Sequence, residues 1–449
     1  MLTYKEAQAY VENAKKKGSV LGLDTMYALM NELGNPQNRI PTIHIAGTNG
    51  KGSVGAYLAS ICKEADFKVA RYCTPAVFHP LECWQFDGSY ITEADYAENI
   101  SVVKEASERI GVEPTYFEIE TAMAFVYFEK MQPDLLLLEV GMGGAMDATN
   151  VIESPIATVF TKISYDHMQF LGGSLQEIAT EKARIMKPGC LVFWGEQEPE
   201  VAEVLRKACK DTGAVRGDVY SRCVEFIARE NGVLRFSYLG IEYETQMLGE
   251  YQMQNAVLAI AVFDAIWPKM VLDVENEMEM WSDKDASIVS WVDMEYASKV
   301  GISKAVWPGR FEVIAKEPLF VIDGAHNEDA VRQLAITIEK SFTNQRINLI
   351  IGILADKEYE KMLKLMLPYA NKIFTVTPPN SRGLDGSILA EEVRKWHENV
   401  LYCSSIKQAV ENAITESLQD NCPILAFGSL SYLGELKEIC LIEKRLKKA

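Results

Sequence analysis

No run of the chain approaches the ~18 consecutive apolar residues that span a bilayer, and residues 1–20 hold no apolar stretch of signal-peptide length. A membrane-bound or exported protein is therefore not expected. The nine cysteines form no CxxC pair and keep no regular spacing, which excludes a small disulfide scaffold and suits free thiols in a reducing, cytoplasmic compartment. Positive charge is scarce: 45 Lys and Arg stand against 63 Asp and Glu, a net charge of −18. The mean field repels a nucleic-acid backbone, yet leaves room for a local basic pocket around a small anion. With only 29 Gly and 16 Pro in 449 residues, and neither solenoid-period repeats nor low-complexity tracts, collagen-like and disordered chains are excluded as well.

What is present is an ordinary globular composition, 48% hydrophobic and 24% charged, long enough for two or three domains with a sizeable core in each. Short apolar runs alternate with helix-period segments, the pattern of parallel βαβ units with helices on both sheet faces. The fold class is α/β. Strands are predicted over 42–46, 68–73, 135–140, 156–163 and 190–194, and the loops after the first four are where a ligand should bind. The alternation weakens between Trp267 and Val306; the acidic stretch 272–295 reads as a solvated surface or helical insertion. After Trp307-Pro308-Gly309 it restarts, with strands near 319–322, 348–353, 372–376, 400–402 and 424–427. The expected organisation is an N-terminal doubly wound sheet domain containing the phosphate loop, residues 1–306, and a smaller C-terminal Rossmann-like domain, residues 307–449.

The segment HIAGTNGKGSVGAYLASI carries the clearest chemistry. A β-rich stretch enters a loop with Gly47, Gly50 and Gly52, and Val54, Tyr57, Leu58 and Ile61 then recur at helical spacing. Glycines let backbone N–H groups approach an anion, the helix N-terminus adds its dipole, Lys51 a point charge and Ser53 a hydroxyl. The plain Walker pattern is not met: Ile45 stands where it needs glycine, and Gly52 where it needs Ser or Thr. Glu139 follows four leucines at the end of a buried strand, where a carboxylate requires an ion pair or a metal, and Mg²⁺ is the natural partner. His167, after the next strand, is either a hydrogen-bonding loop residue or a ligand. Ser174 with Glu177 makes a capping box, and Leu175, Ile178, Lys182 and Ile185 fall on one stripe of the helix it starts. Lys182 on that apolar face either snorkels to the edge of the core or has its pKa lowered until its neutral amine can take up CO₂ as a carbamate.

The variant GTNGKGS resembles the ATP loop of the Mur ligase superfamily and, within it, of the folylpolyglutamate synthase and dihydrofolate synthase family. LLLLEVGMGGAMDATN, SYDHMQFLGGSLQEIATEKARIMKPG, QNAVLAI, PGRFEVI and VIDGAHNEDA resemble that family's successive blocks in the same order. The resemblance implies that Gly47, Thr48, Asn49, Gly50, Lys51, Gly52, Ser53, Asn255, Arg310 and Asp323 bind ATP. It implies two Mg²⁺ sites held by Ser53, Thr74, Glu139, His167 and a carbamylated Lys182, and a catalytic role for Lys51, Lys182 and His326. Thr115, Tyr116, Phe117, Glu118, Met146, Asp147 and Ala148 match positions that contact the pteroate. Tyr116 and Phe117 read equally well as core. Arg310, beside a Pro-Gly hinge, either reaches ATP when the two domains close or makes an interdomain salt bridge.

The implied reaction is ATP-dependent amide ligation: a folate γ-carboxylate becomes an acyl phosphate, which the amine of L-glutamate attacks. Dihydropteroate as acceptor would make the enzyme a dihydrofolate synthase, or a bifunctional one. Two departures fall on the acceptor side, where Thr74-Pro75-Ala76-Val77-Phe78 replaces TSPHL and Ala145 replaces the usual arginine. A P-loop kinase or switch would not need the second domain. A cell-wall ligase would carry a nucleotide-sugar domain ahead of the loop at Gly47. Small-molecule substrates and a monomer are expected, with no nucleic-acid or membrane partner.

Overall fold

The computed structural model describes residues 1–16, 18, 22–230, 232–277, 286–443 and 445–448. The first sheet holds eight strands: β1 (Thr42–Ala46), β2 (Val69–Tyr72), β3 (Trp84–Phe86), β4 (Ser89–Tyr90), β5 (Leu135–Glu139), β6 (Ala157–Phe160), β7 (Leu191–Trp194) and β8 (Val215–Arg216). Their order is β4-β3-β2-β5-β1-β6-β7-β8, parallel except for the β2–β3–β4 meander. Every residue of β1 and of β5 is buried, as continuous apolar runs in a parallel sheet covered on both faces should be. β1 is flanked by β5 and β6, and the chain reverses its winding direction there. Such a switch point opens a crevice beyond the carboxyl ends of the strands.

A second, three-stranded antiparallel sheet follows: β9 (Val224–Glu230), β10 (Val233–Tyr238) and β11 (Ile241–Thr245). The predicted element list lacks it, although the β10 burial pattern alternates with period two and Gly232 and Gly240 turn its hairpins at φ +76° and +83°. The ends of the acidic stretch 272–295 are helical: helix Gln252–Glu277 enters it, and helix Ala286–Lys304 leaves it. Both helices pack on the helix Lys51–Glu64 that follows the phosphate loop, while 278–285 lie outside the described residues.

The C-terminal sheet holds β12 (Glu312–Glu317), β13 (Leu319–Ile322), β14 (Ile347–Ile351), β15 (Ala370–Thr375), β16 (Val400–Tyr402), β17 (Ile424–Phe427) and β18 (Lys447–Lys448). Their order is β16-β15-β14-β17-β13-β12-β18, with β12 antiparallel to both its neighbours. The strands expected at 42–46, 319–322, 400–402 and 424–427 are reproduced to the residue, and the others shift or shorten by one to three residues at their ends. Separate apolar clusters fill the two faces of each large sheet.

Candidate active site

The phosphate loop is shaped by what surrounds it. The chain leaves β1 through Gly47 at φ +147°, and a Cβ there would fall 1.9 Å from Thr161 Oγ1, so no other residue fits. The backbone N–H groups of Thr48 and Asn49 donate to Lys162 O at 2.9 and 3.2 Å, which ties the loop to the end of β6. Gly50, at φ +95°, turns the chain into the helix. Lys51 Nζ then folds back to donate to Gly47 O at 3.2 Å and lies 3.7 Å from Glu139 Oε1. Ser53 Oγ accepts from Gln252 Nε2 at 3.2 Å, and Asn255 Nδ2 donates to Gln252 Oε1 at 3.0 Å, so the first turn of the long helix backs the loop.

Three titratable groups from neighbouring elements converge on this cradle. Glu139 ends β5 and is buried; burial raises its pKa, and the charges of Lys51, Arg71 and Arg310 oppose that rise. Helix Leu175–Ala183 starts at the Ser174–Glu177 capping box, and Leu175, Ile178 and Lys182 share its buried face. The helix ends at Ala183, so Ile185 is buried just beyond it rather than within it. Lys182 is 5% exposed and donates to Gly47 O at 3.0 Å, which removes the snorkelling alternative. Burial, aided by the Lys51 charge, pushes its pKa down to about 7. His167 takes a left-handed φ of 51°, and burial lowers its pKa to about 4, leaving the ring neutral.

The second lobe closes over the same space. Asp323, 2% exposed at the end of β13, accepts from Phe311 N at 2.7 Å, Ala325 N at 2.8 Å and Tyr251 Oη at 3.0 Å. Burial raises its pKa against the pull of Arg310. His326 Nδ1 lies 2.8 Å from Gly324 O, and its Nε2 is 3.6 Å from Asp166 Oδ2. Asp166 also pairs with Lys357 and accepts from Asn327 Nδ2 at 3.3 Å. Although burial works against its charge, His326 first, then His167 and Lys357, hold its pKa well below the usual carboxylate range. Asn49 Nδ2 reaches across to Asn327 Oδ1 at 3.1 Å and Asp329 Oδ2 at 2.8 Å.

The two lobes enclose a cavity of about 680 Å³, lined by Gly47, Thr48, Asn49, Gly50, Lys51, Gly52, Ser53, Thr74, Glu139, His167, Lys182, Asn255, Arg310, Asp323 and His326. The structure thus brings together every residue assigned from sequence to nucleotide, metal or catalysis. Asp166 and Trp307, which line the same cavity, were missed, as were Lys357 and Asn327, which hold Asp166. Asp166 at least had a signal, lying next to His167 in the same block. Among the described residues no three His, Cys, Asp or Glu side chains form a ready metal cage. A buried carboxylate lining the same cavity as the Thr74 and Ser53 hydroxyls instead fits Mg²⁺ whose coordination is completed by phosphate oxygens and water.

The expected acceptor residues lie apart from that lining. Thr115 and Glu118 form the capping box of helix Tyr116–Met131, with Thr115 N and Oγ1 2.7 and 2.9 Å from the Glu118 carboxylate. Phe117 stacks on Tyr72 at 6.4 Å between ring centres and backs Gly141, which does line the cavity. Lys15 Nζ sits 5.8 Å above the Tyr116 ring. Asp147 accepts from Met142 N at 2.8 Å and Thr149 N at 3.0 Å, and burial raises its pKa. Met146 is exposed and Ala148 buried. Ala145, the second departure, donates its N–H to Glu181 O at 3.1 Å, next to Lys182.

A glycine phosphate loop, a buried lysine beside it and a second α/β lobe bearing Arg310 and Asp323 define a Mur-type ligase. The model for the Mur ligase middle domain matches residues 45–263, and that for the Mur ligase glutamate ligase domain matches 309–430. The dihydrofolate synthase/folylpolyglutamate synthase of Bacillus subtilis (strain 168) is 33% identical over 99% of this chain and 99% of that protein. The folylpolyglutamate synthase of Lacticaseibacillus casei is 30% identical over 98% and 99%. A solved structure of the Mycobacterium tuberculosis folylpolyglutamate synthase complexed with ADP and AMPPCP superposes with a TM-score of 0.84 at 28% identity, covering 98% of this chain and 99% of that one. The chain belongs to the dihydrofolate synthase/folylpolyglutamate synthase family, and it is an ATP-dependent ligase.

Proposed function

We propose that this enzyme joins L-glutamate to the γ-carboxylate of a reduced folate by way of an acyl phosphate, with dihydropteroate as the alternative acceptor. The observation that carries the reading is the shared cavity, in which the phosphate loop, Glu139 and Lys182 of one lobe face Arg310, Asp323 and His326 of the other. The N–H groups in the first turn of helix Lys51–Glu64, together with the Lys51 amine, cradle the triphosphate, and Asn255 and Asp323 fix the nucleotide. Arg310 neutralises charge that develops as the γ-phosphoryl group moves to the acceptor carboxylate. Closure around His326 keeps water from the acyl phosphate until the glutamate amine displaces phosphate. Ser53, Thr74, Glu139, His167 and Lys182 as its carbamate are the residues that would hold Mg²⁺, which supplies further charge stabilisation when bound.

The acceptor lies on the Tyr116, Phe117 and Asp147 side, behind the turn at Gly141. We divide the chain between Val306 and Trp307, and place it in the cytoplasm as a monomer. All nine cysteines are free and, among the described residues, no helix is long and apolar enough to cross a membrane.

The test is a turnover panel of dihydropteroate, dihydrofolate and tetrahydrofolate, each with ATP, Mg²⁺ and labelled glutamate. Phosphate release should depend strictly on glutamate and on an acceptor, and Lys51→Ala should abolish it with every acceptor while the protein stays folded. Equal ATP consumption without glutamate would remove the ligase reading.

A further inference from the structure

Gly52 occupies the place where an ordinary phosphate loop has Ser or Thr, and the structure shows what takes up the space. A Cβ on residue 52 would fall 2.5 Å from Trp307 Nε1 and within 2.8 Å of two carbons of the same indole. Three residues on, on the same helix face, a Cβ on Gly55 would come to 3.2 Å of Arg71 Nε. Neither glycine has a left-handed φ, so these positions are glycine for room, although glycine weakens a helix.

The two side chains in that room also hold each other. The Arg71 guanidinium carbon lies 4.0 Å from the centre of the Trp307 ring, and Arg71 Nη2 donates to Gly52 O. Arg71 is 5% exposed in β2, so its position is set by the sheet. Trp307 opens the link that carries Arg310, and it lines the same cavity as the phosphate loop.

We propose that Trp307, seated on Gly52 and clasped by Arg71, is a positioning residue that joins the interdomain link to the phosphate loop, so that loop and Arg310 meet the triphosphate as one unit. The proposal rests on the reading of the loop as the ATP site. A planar guanidinium can stack on the indole and donate to the Gly52 carbonyl at once, which an ammonium cannot reproduce.

The experiment combines calorimetric ADP binding, turnover and thermal melting. A wild-type enzyme that neither binds ADP nor turns over would remove the ATP-site reading itself, whatever the variants do. With wild-type turnover established, Gly52→Ala should lower kcat/KM for ATP by roughly tenfold or more, because the indole must leave its seat. Adding Trp307→Ala to Gly52→Ala should recover activity several-fold over Gly52→Ala alone, a rescue that loss of fold stability would not produce. Trp307→Phe should stay close to wild type, and Arg71→Lys should lose as much as Arg71→Ala. Wild-type kcat/KM in Gly52→Ala, or losses that simply multiply in the double variant, would overturn the proposal. Should Gly52→Ala fail to fold, the single variants decide: Trp307→Ala must fall well below Trp307→Phe at similar melting temperature, and equal activity rejects the coupling.

Discussion

Lys182 spends its amine on the Gly47 carbonyl in a site that water hardly reaches. Its pKa is about 7 in the folded protein against an ordinary 10.5. Between those values the unfolded chain carries the extra proton, so stability should rise with pH across that window. Below about pH 7 the whole penalty is present, on the order of 5 kcal/mol. In CO₂-free buffer without nucleotide, Lys182→Met should melt above wild type at pH 6, with the gap closing as the pH approaches 10; a gap constant with pH would contradict the buried amine. The same neutral amine suits CO₂ uptake. N–C bond formation, in which the amine takes up CO₂ and releases a proton to solvent as the carbamate ionises, should appear in gentle mass analysis of the bicarbonate-treated protein as about 44 Da on Lys182, and Lys182→Met should not turn over at any pH. The lysine was legible in the sequence because a cap and an apolar stripe fix which way a helical side chain faces. The pairing of Asp166 was not, because its partners Lys357 and His326 lie in another part of the chain.

Helix Leu175–Ala183 owes its start to a single reciprocal cap. Ser174 Oγ accepts from Glu177 N at 3.2 Å, and the Glu177 carboxylate returns to Gly173 N at 2.8 Å and Ser174 N at 3.0 Å. Ser174→Ala should lower the unfolding free energy by about 1 kcal/mol, read from urea melts. No measurable loss would mean that packing of Leu175 and Ile178 alone holds the helix. Elements like this one are written locally, in a cap and a few apolar residues. The β1 and β5 strands are legible for a related reason, since a strand buried on both faces needs an unbroken apolar run. The β9–β11 sheet was overlooked because its half-exposed strands carry only a weak alternation, and tertiary packing of Phe236 and Tyr243 beneath them completes the signal.

Across the whole molecule the lobes are joined by polar contacts as much as by the covalent link. Lys357 reaches Asp166 from 191 residues away, and both side chains are less than a tenth exposed. Removing one member of such a buried pair leaves the other charge uncompensated. Lys357→Met should therefore weaken the joint by on the order of 3 kcal/mol, with His326 remaining beside Asp166. The expected readouts are a larger radius of gyration in solution scattering, and faster tryptic cleavage at Lys304 or Arg310 beside the interdomain link. A variant as compact and as resistant as wild type would show that the lobes are held by apolar contacts instead.

The amino-acid sequence by itself determined the α/β class, most of the strands, the phosphate loop and the ordered blocks that mark the family. Caps, glycine turns and apolar periodicity act over a few residues, and the chain spells them out wherever they are needed. Only the tertiary structure decided that Lys182 touches Gly47, that Asp166 meets Lys357 and that the Trp307 indole fills the space at Gly52. It also left the expected acceptor residues off the cavity wall, with Phe117 packed behind Gly141. Those pairings depend on which strand ends converge at the sheet's switch point and on how two lobes meet, and a contact across such distances leaves no period for a reader of the sequence to find.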